Sequence, residues 1–246
     1  MIRTLWAGLN LLVVTAILAG IVVIAALLRV RSYGIYDWAA RTWAAWMLRV
    51  SGAELVVEGL ENVRVDQPQI FVANHVSWHD VFALAVAIPK RYRFVAKKEL
   101  ARIPLFGPAW KAAGHIAVDR GDRAAAIRSL DEAGRLLRKD NSSVVIFAEG
   151  TRSRDGRLQP FKKGAFMLAL HTGVDIVPVA ILGTRYILPK GAWRVRPGRI
   201  IVRFGEPVRV ANYTEATRDE LIADVRGRIE RMLEAPVPGP ARKRAS

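Results

Sequence analysis

Three clusters in this chain combine residue types and spacings that can do chemistry. The first, Asn74-His75-Val76-Ser77-Trp78-His79-Asp80, follows the apolar run Q-I-F-V-A. Ser77 three residues before Asp80 reads as a helix N-cap with a carboxylate in the first turn, which leaves His75 just outside the helix. A carboxylate one turn into the helix folds back to accept a hydrogen bond from the His75 ring, fixing its tautomer and stabilising the imidazolium. A lone histidine is ordinarily a surface or satisfied core residue; paired with Asp80 at a strand end, His75 reads as a general base for a hydroxyl. No G-x-S-x-G elbow occurs, Ser77 is occupied by capping and the chain has no cysteine, so an acyl-enzyme route lacks a nucleophile. His75 and His79 also stand i, i+4, a metal-binding spacing on a helix. The zincin pattern, however, needs Glu at 76, where Val76 stands.

The second cluster, Glu149-Gly150-Thr151-Arg152-Ser153-Arg154-Asp155-Gly156, follows S-V-V-I-F-A. Gly150 permits a tight turn, Thr151 and Ser153 offer hydroxyls, and Arg152 offers a planar fork for a phosphate. These residues suit an anion pocket, and a plain surface turn uses the same types. The third, Phe94-Val95-Ala96-Lys97-Lys98-Glu99-Leu100, again sets cations beyond a strand, ahead of the apolar turn Ile103-Pro104-Leu105-Phe106-Gly107-Pro108.

The elements that must position these residues alternate. Short apolar runs at 54–57, 69–73, 92–96, 115–118, 143–148, 176–182 and 199–204 read as strands, mostly continuous in apolarity and so buried on both faces. Helical patterns occupy 77–88, 105–113, 123–139, 161–171 and 214–233, with Gly114 and Gly173 as terminators. The order predicts an α/β fold, a mostly parallel central sheet flanked by helices. Ligands gather at the carboxyl ends of such strands, where His75 and Asp80, Lys97, and Arg152 would meet in one cleft.

The chain holds 246 residues, which suits one domain, here 52–235, plus an appendage. Residues 5–28 contain only Asn10 and Thr15 as polar interruptions, and as a helix they extend about 36 Å, enough to cross a bilayer. The run is too long for a signal-peptide core and is expected to be retained. Arg29, Arg31, Arg41 and Arg49 follow it against Arg3 before it, placing the rest of the chain on the cytoplasmic side of an inner membrane. Residues 33–50 put Asp37, Arg41 and Arg49 on one stripe and Trp38, Trp43 and Trp46 on the remainder, an interfacial helix pattern or an amphipathic helix packed on the core. Residues 1–51 thus form a two-helix membrane anchor, and the tail 236–246 reads as disordered and basic.

Thirty-eight Lys and Arg against 22 Asp and Glu leave a net charge of +16, while 52% hydrophobic content excludes a disordered basic protein. The absence of cysteine excludes a disulfide scaffold, cysteine zinc sites and iron–sulfur ligation. Four histidines are too few for a membrane di-iron oxidase. A sequence pI near 11.0 invites a nucleic-acid or anionic-surface binder. Residues 185–209 carry Arg185, Lys190, Arg194, Arg196, Arg199, Arg203 and Arg209 against Glu206. An apolar amino-terminal anchor fits anionic inner-leaflet lipids and not a nucleic acid, so no nucleic-acid partner is expected.

The blocks N-H-V-S-W-H-D, F-V-A-K-K-E-L-A-R-I-P-L-F-G, F-A-E-G-T-R-S and V-P-V-A-I-L-G match, in order and spacing, those of the glycerolipid acyltransferase family. Over about residues 55–210 the chain resembles best the lysophosphatidic acid acyltransferases. The resemblance implies transfer of a fatty acyl group from acyl-CoA or acyl carrier protein to the hydroxyl of a lysophospholipid, with no metal and no cofactor beyond that co-substrate. It implies His75 as base and Asp80 as its orienter. Glu149, Gly150, Thr151 and Arg152 would form the acceptor site, Lys97 would join Arg152 on the phosphate, and Pro178 would shape the acyl pocket or the sheet edge. Ala148 stands where the family's third block usually has proline, and Val76 where many members carry glutamine. The same chemistry on another lyso-lipid, such as one with an amino-acid headgroup, is the alternative. Acidic donors would also answer the basic charge.

Overall fold

The structure, a computed structural model, describes residues 1–30, 33–119, 123–139 and 142–237; Arg31 and residues 238–246 of the basic tail lie outside the described residues. Two helices open the chain, α1 (Ile2–Leu27) and α2 (Tyr33–Ser51). Then follow β1 (Ala53–Glu58), β2 (Ile70–Ala73), α3 (His79–Ala87), β3 (Tyr92–Lys97), α4 (Phe106–Ala112), β4 (Ile116–Val118), α5 (Arg123–Lys139) and β5 (Ser143–Phe147). The chain continues through α6 (Gly164–Thr172), β6 (Ile176–Leu182), the short α7 (Thr184–Ile187), β7 (Gly198–Phe204) and α8 (Arg218–Glu234).

All seven apolar runs are strands of one sheet, ordered β1-β7-β6-β2-β5-β3-β4. Every pairing is parallel except β6 with β7. The continuous apolarity of β2 has a direct cause. Phe71 and Ala73 enter one core with Val145 of β5 and Val177 and Val179 of β6, while Ile70 and Val72 enter the opposite core with Val144, Ile146 and Ile176. Helices α2 and α3 cover the first face; α5, α6 and α8 cover the second. Each fully buried Val, Ile or Phe contributes roughly 1.5–3 kcal/mol, so the central strands hold the site-bearing loops firmly.

The amino-terminal helices are built into this domain. Ala44, Met47 and Leu48 of α2 share the first core with Phe82 and Leu84 of α3. Asp37 of α2 pairs with the buried Arg93 of β3 at 2.7 Å, and Arg41 donates to the Lys90 carbonyl at 2.6 Å. The polar interruptions of α1 face α2: Trp43 Nε1 donates to Thr15 Oγ1 at 2.8 Å, and Trp46 Nε1 to Asn10 Oδ1 at 2.9 Å. Small residues on α1 (Ala19, Ala25), on α2 (Ala39) and on α4 and its C-cap (Ala109, Ala113) allow the three helices to approach closely. The division at residue 51 therefore separates chain segments and not independently packed units. Pro178, read as shaping an acyl pocket or the sheet edge, lies inside β6 next to β2, at neither place. It stands just before pairing with β7 begins at Val179, a point where a missing N–H is tolerated.

Candidate active site

The outgoing connections diverge between β2 and β5. β2 leaves through α3 on one face towards β3, and β5 leaves through α6 on the other face towards β6. That divergence opens a crevice at the carboxyl ends of the two strands. The His75 and Arg152 loops sit in it.

Asn74 at the end of β2 clamps the neighbouring strand, its Nδ2 donating to the Ile181 carbonyl at 3.0 Å and its Oδ1 accepting from the Ile181 N–H at 2.8 Å. The chain then turns through His75 into α3. Asp80 Oδ2 accepts three hydrogen bonds: from His75 Nδ1 at 2.8 Å, from the Val76 N–H at 2.7 Å and from the Ser77 N–H at 2.8 Å. The helix N-cap is Trp78, one residue after the expected Ser77; Ser77 Oγ accepts from the His79 N–H at 3.2 Å and itself donates to the Leu188 carbonyl at 2.7 Å. Because Oδ2 is an acceptor, Nδ1 carries the proton and Nε2 is left as the basic nitrogen. Asp80 is fully buried, whereas the His75 side chain keeps 14% exposure. The imidazole stacks on Phe147 at 3.9 Å between centroids and 15° between planes, which fixes its second rotational freedom.

Glu149 departs from the sequence reading, which gave it to the acceptor. Its carboxylate is turned inward, Oε1 accepting from the His75 N–H at 2.6 Å and Oε2 from the Gln159 N–H at 2.9 Å. The residue is almost fully buried and does not line the cavity. Burial pushes its carboxyl above the ordinary range, and the two backbone donors partly oppose that. The Ser153 N–H donates back to the His75 carbonyl at 2.8 Å, so the two loops are stitched in both directions. Gly150 takes a left-handed φ of 72°, which reverses the chain so that Thr151 and Arg152 face the crevice. Ala148, in place of the usual proline, is buried, and its carbonyl accepts from the Lys162 N–H at 2.7 Å.

His75, Lys97, Gly150, Thr151 and Arg152 open onto one cavity of about 390 Å³. Lys97, the last residue of β3, reaches it from the far side of β5. The Arg152 guanidinium lies over the Trp78 ring at 5.0 Å, a cation–π contact that holds the fork in the mouth. Lys190, from the segment between α7 and β7, lines the same cavity and was not singled out for the site from sequence. The remaining wall is apolar and comes largely from Leu18 and Val22 of α1, Ala39 and Trp43 of α2, and Phe106 and Trp110 of α4. The anchor segment is therefore part of the pocket, a relation that only the polar spots Asn10 and Thr15 hinted at.

His79 is buried edge-on against Phe82, and burial lowers its pKa to about 4. His115 accepts from the Phe94 N–H at 3.1 Å and is pushed down to about 3 by burial. Both serve packing. Among the described residues no group of three or more His, Asp or Glu is placed to hold a metal ion. The Val76 and Ser77 amides belong to Asp80, and the Gly150 amide donates to the Phe147 carbonyl at 3.0 Å, so these backbone N–H groups are engaged within the loops.

Residues 54–182, more than half of the chain, match the family described as Acyltransferase. The chain is 39% identical over 189 residues to a 1-acyl-sn-glycerol-3-phosphate acyltransferase from Cocos nucifera, covering 76% of this chain and 59% of that one. It is 35% identical over 216 residues to a protein of the same name from Limnanthes douglasii, covering 86% and 75% respectively. The crystal structure of the 1-acyl-sn-glycerophosphate acyltransferase PlsC from Thermotoga maritima superposes with a TM-score of 0.83 at 29% identity, covering 97% of both chains. With a family match over more than half of the chain and a likeness in fold along nearly its whole length, the chain belongs to the acyltransferase family, with the lysophosphatidic acid acyltransferases.

Proposed function

We propose that this acyltransferase moves a fatty acyl group from an acyl-CoA or acyl carrier protein thioester to the sn-2 hydroxyl of 1-acyl-glycerol-3-phosphate, giving phosphatidic acid. One observation carries the reading: the His75–Asp80 dyad stands where a cation-lined mouth meets a long apolar wall in a single cavity. A phosphate headgroup fits between Arg152 and Lys97, an acyl chain fits along α1, α2 and α4, and the hydroxyl to be acylated falls between them, at Nε2. The names of the relatives point to the same acceptor.

In this mechanism His75 Nε2 takes the hydroxyl proton as the oxygen adds to the thioester carbonyl carbon. The C–S bond then breaks, and the imidazolium returns its proton to the departing thiolate. Asp80 stabilises the imidazolium through the 2.8 Å bond. Holding both substrates in line removes as much as roughly 7–11 kcal/mol from the barrier, so the phosphate clamp acts through positioning as well as affinity.

The membrane reading rests on α1, which is long and apolar enough to cross a bilayer. It nevertheless lies along the domain, with Thr4 accepting from the Val195 N–H at 3.1 Å near one end and Val22 and Ala25 packed with Ala109 of α4 and its C-cap Ala113 near the other. Its outer face exposes Leu5, Trp6, Leu9, Leu12, Ile17, Ile21 and Ile24 as one apolar stripe. We place that stripe in the cytoplasmic leaflet of the inner membrane. Trp193, Arg194 and Arg196, exposed near Thr4, would meet anionic headgroups there.

The test is acyl transfer by purified full-length protein in detergent, offering lysophosphatidic acid and lyso-lipids with other headgroups, with both donor types. His75→Ala is expected to abolish transfer with an unchanged circular dichroism spectrum. Near-normal turnover by that variant removes the general base. Faster acylation of an amino-acid lyso-lipid reassigns the acceptor.

A further inference from the structure

Lys190 enters the cavity on the segment that joins α7 to β7. Its Nζ donates to the Arg152 carbonyl at 2.7 Å and to Thr151 Oγ1 at 3.2 Å. An ammonium has three N–H donors, so one remains for whatever occupies the cavity. The segment is itself tied to the catalytic loop, because the Leu188 carbonyl accepts from Ser77 Oγ at 2.7 Å. Lys190 is therefore held in place by the two loops that carry His75 and Arg152.

The charge balance of the mouth points to a ligand. Lys97, Arg152 and Lys190 line one cavity, and none of them is ion-paired with a carboxylate among the described residues. Neighbouring Lys98, by contrast, is paired with Asp119. Arg152 and Lys190 are half-buried and Lys97 is exposed at the rim, and cations lining one cavity repel one another unless an anion joins them. A phosphate monoester carries close to two negative charges at neutral pH and presents three terminal oxygens. A diester carries one charge and two such oxygens. Two cations can serve the two terminal oxygens of a diester; a third has a partner only in the third terminal oxygen of the more highly charged monoester.

We propose that Lys190 is the third cation of the acceptor site and makes it selective for a dianionic phosphate monoester over diester and uncharged lyso-lipids. This rests on the acceptor reading given above, and it names a residue and a charge state which that reading leaves open. In the bound complex the free N–H of Lys190 donates to one terminal phosphate oxygen, while Arg152 and Lys97 serve the other two. The contact is to the headgroup, so Lys190 acts on specificity and not on proton transfer.

The experiment compares full-length wild type with Lys190→Gln and Lys190→Arg in detergent. The acceptors are 1-acyl-glycerol-3-phosphate, 1-acyl-glycerophosphoglycerol and monoacylglycerol. Lys190→Gln is expected to raise KM for the monoester about ten- to hundredfold, the loss of one charge-assisted bond, while KM for the other two and all three kcat values change less than about threefold. Lys190→Arg retains the monoester preference. Wild-type KM for the monoester falls as pH rises from 5.5 to 7.5 and the phosphate loses its second proton, near pH 6; Lys190→Gln flattens that dependence. A purely structural role, acting through Thr151 and Arg152, gives instead an equal loss with every acceptor and an unchanged pH profile, and overturns the proposal. Binding separates this outcome from failure of the activity itself. Glycerol 3-phosphate is expected to raise the apparent Tm of wild type and not of Lys190→Gln, whether or not turnover is seen, and an equal rise in both rejects the third cation. Wild type inactive with the monoester but still showing that difference would sink the acyl-transfer reading alone.

Discussion

Glu149→Gln separates two roles for one residue. If Glu149 touched the acceptor, neutralising it would alter KM for that substrate and little else. Its carboxylate instead joins the His75 N–H at 2.6 Å to the Gln159 N–H at 2.9 Å inside a sealed pocket. Glutamine has the same shape but only one acceptor atom, so one of the two backbone donors must face an amide NH2. A hydrogen bond to a charged group is worth about 1.5–3 kcal/mol, and a buried donor left without an acceptor costs about 1–3 kcal/mol. The expected destabilisation is about 2–3 kcal/mol, which lowers the apparent Tm by roughly 4–12 °C for a chain of this size. The catalytic effect follows from the same bond. Releasing the His75 backbone lets the imidazole drift, and a shift of about 1 Å at a catalytic group costs on the order of a hundredfold in rate. The assay is initial rate against acceptor concentration at saturating donor, with differential scanning fluorimetry on the same preparations. The expected pattern is a lowered Tm and a kcat lowered alike for phosphorylated and phosphate-free acceptors, with KM unchanged. A variant of wild-type stability with only a raised KM for the phosphate acceptor would refute the positioning role and restore Glu149 to the acceptor site.

Three further outcomes are expected. Asp80→Asn leaves the fold intact but removes the charge opposite the imidazolium, lowering kcat about 10³- to 10⁴-fold at near-constant KM; a loss below tenfold in steady-state assays contradicts the dyad. On acidification the unfolded chain protonates His79 and His115 near pH 6.5, while the folded chain, with pKa values of about 4 and 3, does not. Stability therefore falls below pH 6.5, by about 4 kcal/mol at pH 5 from these two groups. His115→Gln, which keeps an acceptor for the Phe94 N–H, should roughly halve that difference between pH 7.5 and 5 in thermal melts, and an unchanged acid slope rejects burial as its origin. Deleting residues 1–50 is expected to give aggregate and not a soluble enzyme, because it uncovers the core beneath Ala44, Met47 and Leu48; a monodisperse, folded product in size-exclusion chromatography would show that the α/β unit stands alone.

The parts of the fold legible in sequence are those where one physical pattern dominates locally. Seven runs of apolar residues gave seven strands within a residue or so at either end; the pattern is cleanest in β2 and β6, which are buried on both faces and hold no polar residue, while β1, β3 and β7 carry Glu54, Arg93 and Arg203 within otherwise apolar runs. The dyad was legible for a related reason: Asp80 lies in the first turn of α3, from which its carboxylate reaches back to the Ser77 N–H and to His75. Glu149 was misread because its partners are backbone amides of Gln159 and His75, the latter 74 residues away, and nothing local distinguishes a carboxylate that binds a ligand from one that binds a loop. Lys190 was hidden in a basic run whose other members are mostly exposed. What sets it apart is a carbonyl and a hydroxyl on a loop almost forty residues earlier.

The amino-terminal helices show where pattern reading stops. Apolarity over residues 5–28 speaks only of a low-dielectric surrounding and cannot say whether lipid or protein supplies it. Protein supplies it on one face of α1, and on the reading proposed above lipid supplies it on the other. Leu18, Ala19 and Val22 turn towards α2, α4 and the cavity, while Leu5, Leu9, Leu12 and Ile24 stay exposed. Asn10 and Thr15 mark the protein side, since an indole N–H reaching each of them is a partner that hydrocarbon could not provide. The consequence is energetic as well as architectural. A methylene contributes about 0.8 kcal/mol only if it leaves water, so the apolar wall is useful to an acyl chain only while α1 and α2 keep it dry. On the membrane reading proposed above, the element that would meet the lipid is thereby the one that closes the pocket, and detaching it would remove binding energy from the substrate as well as contact with the membrane.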